Sequence, residues 1–341
     1  MTFDKPFLPY DKQIERLKKE YGLIINDEEF AKNALMSVSY YDLVNGYKTL
    51  FMKNNKFVDN LSIEYLYEFH LLDKSIQAFI MKYSLFLENM FKNLLAYVIA
   101  SAFGVNHKNN GYLDSNHYQV YSSGISYKEN IYNEILPILN SDSPKCKMPT
   151  KHYVLHHNHV PPWILFKNIS FGDAINLFTL LNSPEKKYIL DTIFKGSKPI
   201  EYSQKVDIIR NGLLNIRELR NLAAHNLHFV QFRTSRSIQP KQLYYELPHL
   251  IYLTPDLKQP LNIDKKACKG LYSAILIFLL FLETPYLKTI FITDLKNAVF
   301  NNATNEQNSL RATLFDDYCK LTALPSNLFD RLDKFQQSFK I

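Results

Sequence analysis

Apolar residues recur along most of this chain at three- and four-residue intervals, the spacing of one buried helix face. Tyr10-Asp11 opens a helix with Ile14, Leu17 and Tyr21 on one side, and Gly22 closes it. Asn26-Asp27 caps a second helix carrying Phe30, Ala31 and Leu35. Ser39-Tyr40-Tyr41 and Asn45-Gly46-Tyr47 form an aromatic-rich turn region, read as tyrosine packing in a small helical module. Ile63 to Phe103 is a long helix with an acidic start, and Tyr67, Leu71, Ile76, Phe79, Tyr83, Phe86 and Phe91 supply its apolar face. Glu88 interrupts that apolar run. It reads as a partly exposed glutamate, with pairing to an arginine of a later helix as the alternative. Val105 to Pro149 is polar and reads as a loop-rich insertion around one short helix, Lys128 to Leu136, stopped by Pro137.

Helices resume over Gly172 to Leu181 and Pro184 to Phe194. The next stretch, Asp207 to Phe229, carries Ile209, Leu213, Ile216, Leu219 and Ala223 on one face. Beyond it come a polar, basic loop and a short run, Tyr244 to Leu253, that can pair as a strand. An apolar helix follows from Lys265 to Leu282, then a helix over Leu287 to Asn301, then two amphipathic pieces in Ser309 to Ile341 separated by Pro325. The expected fold class is all-α.

Composition narrows the choices. Hydrophobic residues make up 46 % of the 341, enough for a core, and the 9 glycines disfavour turn-dense β architectures. Cys146, Cys268 and Cys319 are widely spaced and odd in number, so they suit neither a disulfide framework nor a zinc site. No secretory signal is visible, and a reducing cytoplasm is the expected compartment. The apolar run Leu271 to Leu282 is too short for a bilayer and reads as a buried helix, so no membrane partner is expected. Net charge is +7, which favours a polyanion partner. Between 201 and 240, six bases face three acids, and five of the six are arginines, the base whose planar fork suits phosphate.

At about 100° per residue, Arg210, Arg217, Asn221 and His225 share one flank of the 207–229 helix, and Arg220 falls inside the apolar arc. An unpaired arginine there is costly, so a partner or a ligand must meet it. Four histidines, His152, His156, His157 and His159, lie within eight residues. His152 and His156 could share a helix face toward a metal, but no glutamate follows His152 as a zinc protease needs. No metal or other cofactor is therefore assigned.

The order KPFL, then SYYDLVNGY, then LYEFHLLDKSI and FLENMFKNLLA, resembles the abortive infection family of the AbiD/AbiF type. So do His152-Tyr153, Pro161-Pro162-Trp163 and Ser170-Phe171-Gly172. Family members often show aspartate-arginine where this chain has Asp73-Lys74. Arg220, Asn221 and His225 match the R-x(4–6)-H motif of HEPN-domain ribonucleases. The resemblance implies a HEPN-like helical bundle at about 58–300, preceded by an N-terminal module at 1–57 and followed by a helical extension at 301–341. It also implies a metal-independent endoribonuclease in phage defence, with Arg220, Asn221 and His225 at the catalytic site. The same resemblance points to a homodimer that apposes two motifs, and to restraint by a small RNA or protein antitoxin. Arg210, Arg217, Arg233 and Arg236 are the expected RNA-binding set. Two other readings stay open: a non-catalytic RNA-binding module, and a toxin acting through a partner or at the membrane. No P-loop, nucleophile elbow or paired-carboxylate motif argues for another enzyme class.

Overall fold

Ser62 caps the first turn of the longest helix, its side chain accepting a hydrogen bond from Tyr65 N, and Gly104, at φ +80°, ends it 41 residues later. We describe this chain from a computed structural model over residues 6–108, 110–196, 200–230, 232–251, 269–300 and 305–339. Helices of ten residues or more are numbered in chain order. They are α1 (Tyr10–Lys19), α2 (Glu28–Val38), α3 (Ile63–Phe103), α4 (Phe171–Leu180), α5 (Ser183–Ile193), α6 (Tyr202–Ala224), α7 (Leu271–Phe281), α8 (Pro285–Phe300), α9 (Asn305–Thr322) and α10 (Leu328–Gln337). Two two-stranded hairpins are the only sheets among the described residues, so the chain is all-α.

The amino-terminal helices follow their sequence signals. α1 buries Ile14 and Leu17, and Gly22 turns the chain at φ +69°. Asp27 caps α2 by accepting from Glu29 N and Phe30 N. A π-helical turn, Tyr41–Asn45, and a hairpin at 52–57 follow. Ile24 binds this module to the root of α3: its N–H reaches Leu61 O at 3.0 Å, and its carbonyl accepts from Ile63 N at 3.0 Å.

At 1.5 Å per residue, α3 is about 60 Å long and serves as the spine. It buries Leu66, Phe69, Leu72, Ile76, Ile80, Leu87, Phe91 and Leu95. Phe86, expected on the apolar face, is instead exposed at 42 %, because that face continues through Leu87. α6 and α8 lie along the spine, and α7 packs on α6 while also touching the spine through Tyr83–Phe278 and Phe91–Phe281 ring contacts. Every residue of α7 is buried, as expected of a helix that is apolar all round. No helix among the described residues is long and apolar enough to cross a membrane. α9 is stitched to the first turns of α3 by Tyr65 Oη to Asp317 at 2.7 Å, Arg311 to Glu68 at 3.0 Å and Tyr318 Oη to Asp73 at 2.8 Å.

Four expectations differ from the structure. The helix expected at 207–229 runs from Tyr202 to Ala224, for reasons of capping given below. The expected strand is not formed over its described part, 244–251. Tyr244 to Leu250 winds in turns through Glu246 N and Leu247 N to Leu243 O and Leu250 N to Leu247 O, burying Leu247, Leu250 and Ile251 against helices. The helix expected from Lys265 is described from Leu271, and 265–268 lie outside the described residues, as does Cys268. In the 105–149 segment the short helix is π-helical over Lys128–Ile135. Pro137 does not stop the winding, which passes into a 3-10 turn over Leu136–Leu139.

Candidate functional site

The end of α6 is decided by its cap. His225 leaves the helix at φ −94°, ψ 11°, and Asn226 takes the left-handed conformation at φ +58°. Asparagine tolerates that conformation, and Leu227 N then reaches back to Leu222 O at 2.9 Å. Leu227 continues the apolar spacing in sequence but not in space, being 52 % exposed. Below the cap, Ile209, Leu213, Ile216 and Leu219 are buried, and Gly212 lets α7 approach so closely that a Cβ there would sit 2.4 Å from Ile277. Arg220 and Asn221 therefore stand in the last turn, and His225 forms the cap.

Arg220 meets a carboxylate. Its Nη2 lies 3.5 Å from Glu88 Oε2 on α3, while Lys92 Nζ lies 2.6 Å from Glu88 Oε1 and also donates to Ile169 O at 2.6 Å. The pairing of Glu88 with the later helix is thus the alternative that the structure takes. These groups line a cavity of about 210 Å³ with Trp163 and Lys167. Asn221 and His225 open elsewhere. They line a shallow groove of about 390 Å³ with Glu218, Leu222, Leu227, Phe232, Arg233 and Ser235. The groove wall is held by Glu218, which accepts from Ser235 Oγ at 2.5 Å and from Ser235 N at 2.9 Å. Within one chain, Arg220 and His225 do not face a common space.

The other arginines are dispersed. Arg210 Nη2 donates to Ser123 O at 2.9 Å, and burial together with nearby Arg236 lowers its pKa. Arg217 lies over the start of α4, where a Cβ on Gly172 would be 2.7 Å from its Nη1. Arg233 donates to Phe232 O at 2.9 Å and to Leu321 O at 2.6 Å, tying the loop after α6 to α9. Arg210 and Arg217 do not line the groove of Asn221 and His225, so the single flank drawn from the wheel is divided between two surfaces.

A family model described as Abi-like protein matches residues 33–230, more than half of the chain. The chain belongs to the Abi-like protein family. No curated protein and no solved structure matches it. Membership points to abortive infection, a form of phage defence, as the setting of this Abi-like chain.

The matched region also holds a buried network that gathers residues from the blocks around 42–47 and 70–74. In this Abi-like chain Asp42, Tyr47, His70, Asp73 and His228 converge from three separate segments. Asp73 is fully buried and accepts from Tyr318 Oη at 2.8 Å and Gln77 Nε2 at 2.7 Å. His228 Nδ1 lies 3.4 Å from Asp73 Oδ2, its Nε2 lies 3.7 Å from Asp42 Oδ1, and its ring packs edge-on to Tyr47. Tyr47 Oη bonds His70 Nδ1 at 3.1 Å. Burial pushes the His70 pKa down to about 4, with Lys74 and His228 acting in the same direction. Gly46 makes room for the imidazole, since a Cβ there would be 2.4 Å from His228 Nε2. The resemblance blocks around 42–47 and 70–74 were signals for this network, but nothing in the linear chain names His228 as their meeting point.

The histidine run lies apart from both. His152 and His156 share the helix Thr150–His156 with ring centres 4.8 Å apart. Among the described residues no group of three or more His, Cys, Asp or Glu has the geometry to hold a metal ion.

Proposed function

We propose that this Abi-like chain is a metal-independent endoribonuclease of the HEPN type, an abortive infection toxin that acts in the cytoplasm as a homodimer. A small RNA or protein antitoxin restrains it. The observation that carries this reading is the placement of Arg220 and His225 at one open helix end. They are about 140° apart around the axis by helix geometry and face separate cavities. One copy then offers a phosphate ligand on one side and a proton carrier on the other. A two-fold pairing of α6 ends brings the histidine of one copy beside the arginine of its partner, and the isologous contact is the default way to do so.

In the proposed reaction, one His225 takes the proton from the ribose 2′-hydroxyl, and the freed oxygen attacks the adjacent phosphorus. The bond from phosphorus to the 5′-oxygen breaks, and the partner copy's protonated imidazole gives that oxygen its proton. The arginines hold the non-bridging oxygens through paired donors as charge develops. The products are a 2′,3′-cyclic phosphate and a 5′-hydroxyl. Asn221 lines the groove beside His225 and orients the ribose. Arg210, Arg217, Arg233 and Arg236 supply the surrounding positive field for the RNA backbone.

The test is cleavage of cellular RNA by purified protein in EDTA, with end-group analysis of the fragments. His225→Ala should lower single-turnover cleavage at saturating protein by about 10² or more, the usual scale for acid–base catalysis. Cleavage that EDTA abolishes and zinc restores moves the site to His152–His159. Parental cleavage by His225→Ala makes the histidine structural. RNA bound but left intact by the parent protein turns the chain into a non-catalytic RNA-binding module.

A further inference from the structure

The cavity beside Arg220 has the makings of a base-binding subsite. Trp163 is the sole tryptophan of the chain, yet it is 48 % exposed. It stands on the short helix Pro162–Leu165, where Pro161 and Pro162 stiffen the backbone and buried Leu165 and Phe166 anchor it. An indole left open on a rigid support is a stacking platform rather than a packing residue. The cavity is also lined by three cations, Lys92, Lys167 and Arg220, and by one carboxylate, Glu88, which pairs with Lys92 and Arg220, so it keeps a surplus of positive charge. Lys167 is poised at its rim by a 2.8 Å bond to Asn89 Oδ1. Glu88 Oε2 is buried and has no hydrogen-bond partner among the described residues, although Arg220 is 3.5 Å away. A buried carboxylate oxygen held only by an ion contact at 3.5 Å keeps its capacity to accept a hydrogen bond.

We propose that this cavity binds one unpaired nucleobase of single-stranded RNA. The base stacks on Trp163, an exocyclic amine donates to Glu88 Oε2, and the adjoining phosphate lies on Lys167 and Arg220. The proposal rests on the reading of RNA as the ligand. Single-stranded nucleic acid is held in this manner elsewhere, by aromatic platforms within basic grooves. At about 210 Å³ the cavity is below the ~300–1,000 Å³ of sites for whole small ligands, which suits a single ring and leaves the sugar-phosphate outside. A carboxylate acceptor favours cytosine, whose 4-amino group donates, over uracil or thymine, which present a carbonyl there.

Because Trp163 is the only tryptophan, its fluorescence reports this cavity alone. The probes are short deoxyribose oligonucleotides, which lack the 2′-hydroxyl and cannot be cut by the proposed chemistry. Oligo-dC should quench Trp163 saturably and bind at least ten-fold tighter than oligo-dT. Glu88→Gln should erase that preference, and Lys167→Ala should weaken both probes and lower the salt dependence. Lys167 is at the rim, so this variant stays informative even if Glu88→Gln unfolds. Absent quenching, or equal affinity for the two probes with unchanged binding in Lys167→Ala, overturns the subsite. RNA cleavage settles the two readings separately. Parental KM for cleavage in Trp163→Leu, together with no quenching of Trp163 in the parent protein, removes the subsite and leaves the nuclease. Quenching by oligo-dC with RNA left intact keeps the subsite and removes the nuclease.

Discussion

Asp73→Ala is the sharpest probe of the buried network that joins the two ends of the chain. Among the described residues, the carboxylate is the hydrogen-bond acceptor of Tyr318 Oη on α9 and of the Gln77 amide on its own helix. Alanine leaves both donors in a site that is fully buried. Each orphaned donor costs about 1–3 kcal/mol, so the pair costs on the order of 4 kcal/mol, a large part of the ~5–15 kcal/mol that holds a folded chain. Loss of the carboxylate's own burial cost offsets part of this. With an unfolding entropy of ~2.1 cal/mol/K per residue over 341 residues, about 4 kcal/mol lowers Tm by roughly 5–6 °C. Helical content makes circular dichroism at 222 nm the direct assay. Tyr318→Phe removes one donor instead of stranding it and should cost less. The double variant should lose less than the two singles together, because the donor that Asp73→Ala strands is then gone. A Tm for Asp73→Ala within 1 °C of the parent, or strict additivity with Tyr318→Phe, would show that the network does not hold α9 to α3.

Other expectations follow from separate contacts. Gly46→Ala should destabilise by about 1–3 kcal/mol, because its Cβ meets His228 Nε2 and the Asp42 carbonyl at 2.4 and 2.5 Å; chemical denaturation measures it. Gly212→Ala should cost a similar ~1–3 kcal/mol by driving α6 off Ile277, and a melting curve unchanged from the parent would refute the close packing of α6 on α7. His70 has its folded pKa depressed from about 6.5 to about 4 by burial, so the unfolded state binds more protons between those values. The stability it contributes is present above about 6.5 and is lost as pH falls toward about 4; His70→Gln should flatten that part of the stability profile. Lys186 on α5 is buried, which lowers its pKa to about 8. Lys186→Met should raise Tm at pH 7, and the gain should shrink as pH rises from about 8 to 10.5.

The long helices were readable because their signals are local. Ser62 and Gly104 mark both ends of α3, and Asp27 marks the start of α2, in a few adjacent residues each. The end of α6 is not legible in the spacing because Leu227 keeps the apolar period while Asn226 has already turned the backbone away. Period counts spacing and is blind to φ. The run at 244–251 has strand-forming residues, but among the described residues no extended segment lies alongside to receive its N–H groups, so short-range turns take them. The candidate site was half legible. Arg220 was seen to need a partner, and Glu88 was seen to be out of place, yet their pairing spans more than a hundred residues and depends on how α3 and α6 cross. The separation of Arg220 from His225 follows from the cap as well as from the wheel. The convergence of Asp42, Asp73 and His228 is a property of the fold alone.

The packing of α7 against α6 also sets an order of events during synthesis. Gly212 lies against Ile277, and the face of α6 that carries the motif's apolar neighbours is covered only when α7 is in place. At about 5–20 residues per second, the roughly 70 residues from Gly212 to Phe281 take some seconds to emerge. Through that interval the nascent chain holds its arginine and histidine on a helix with no lid over its back. A growing polypeptide therefore completes the scaffold around Arg220 and His225 only after α7 has emerged, and a copy cut short before α7 lacks the buttress altogether.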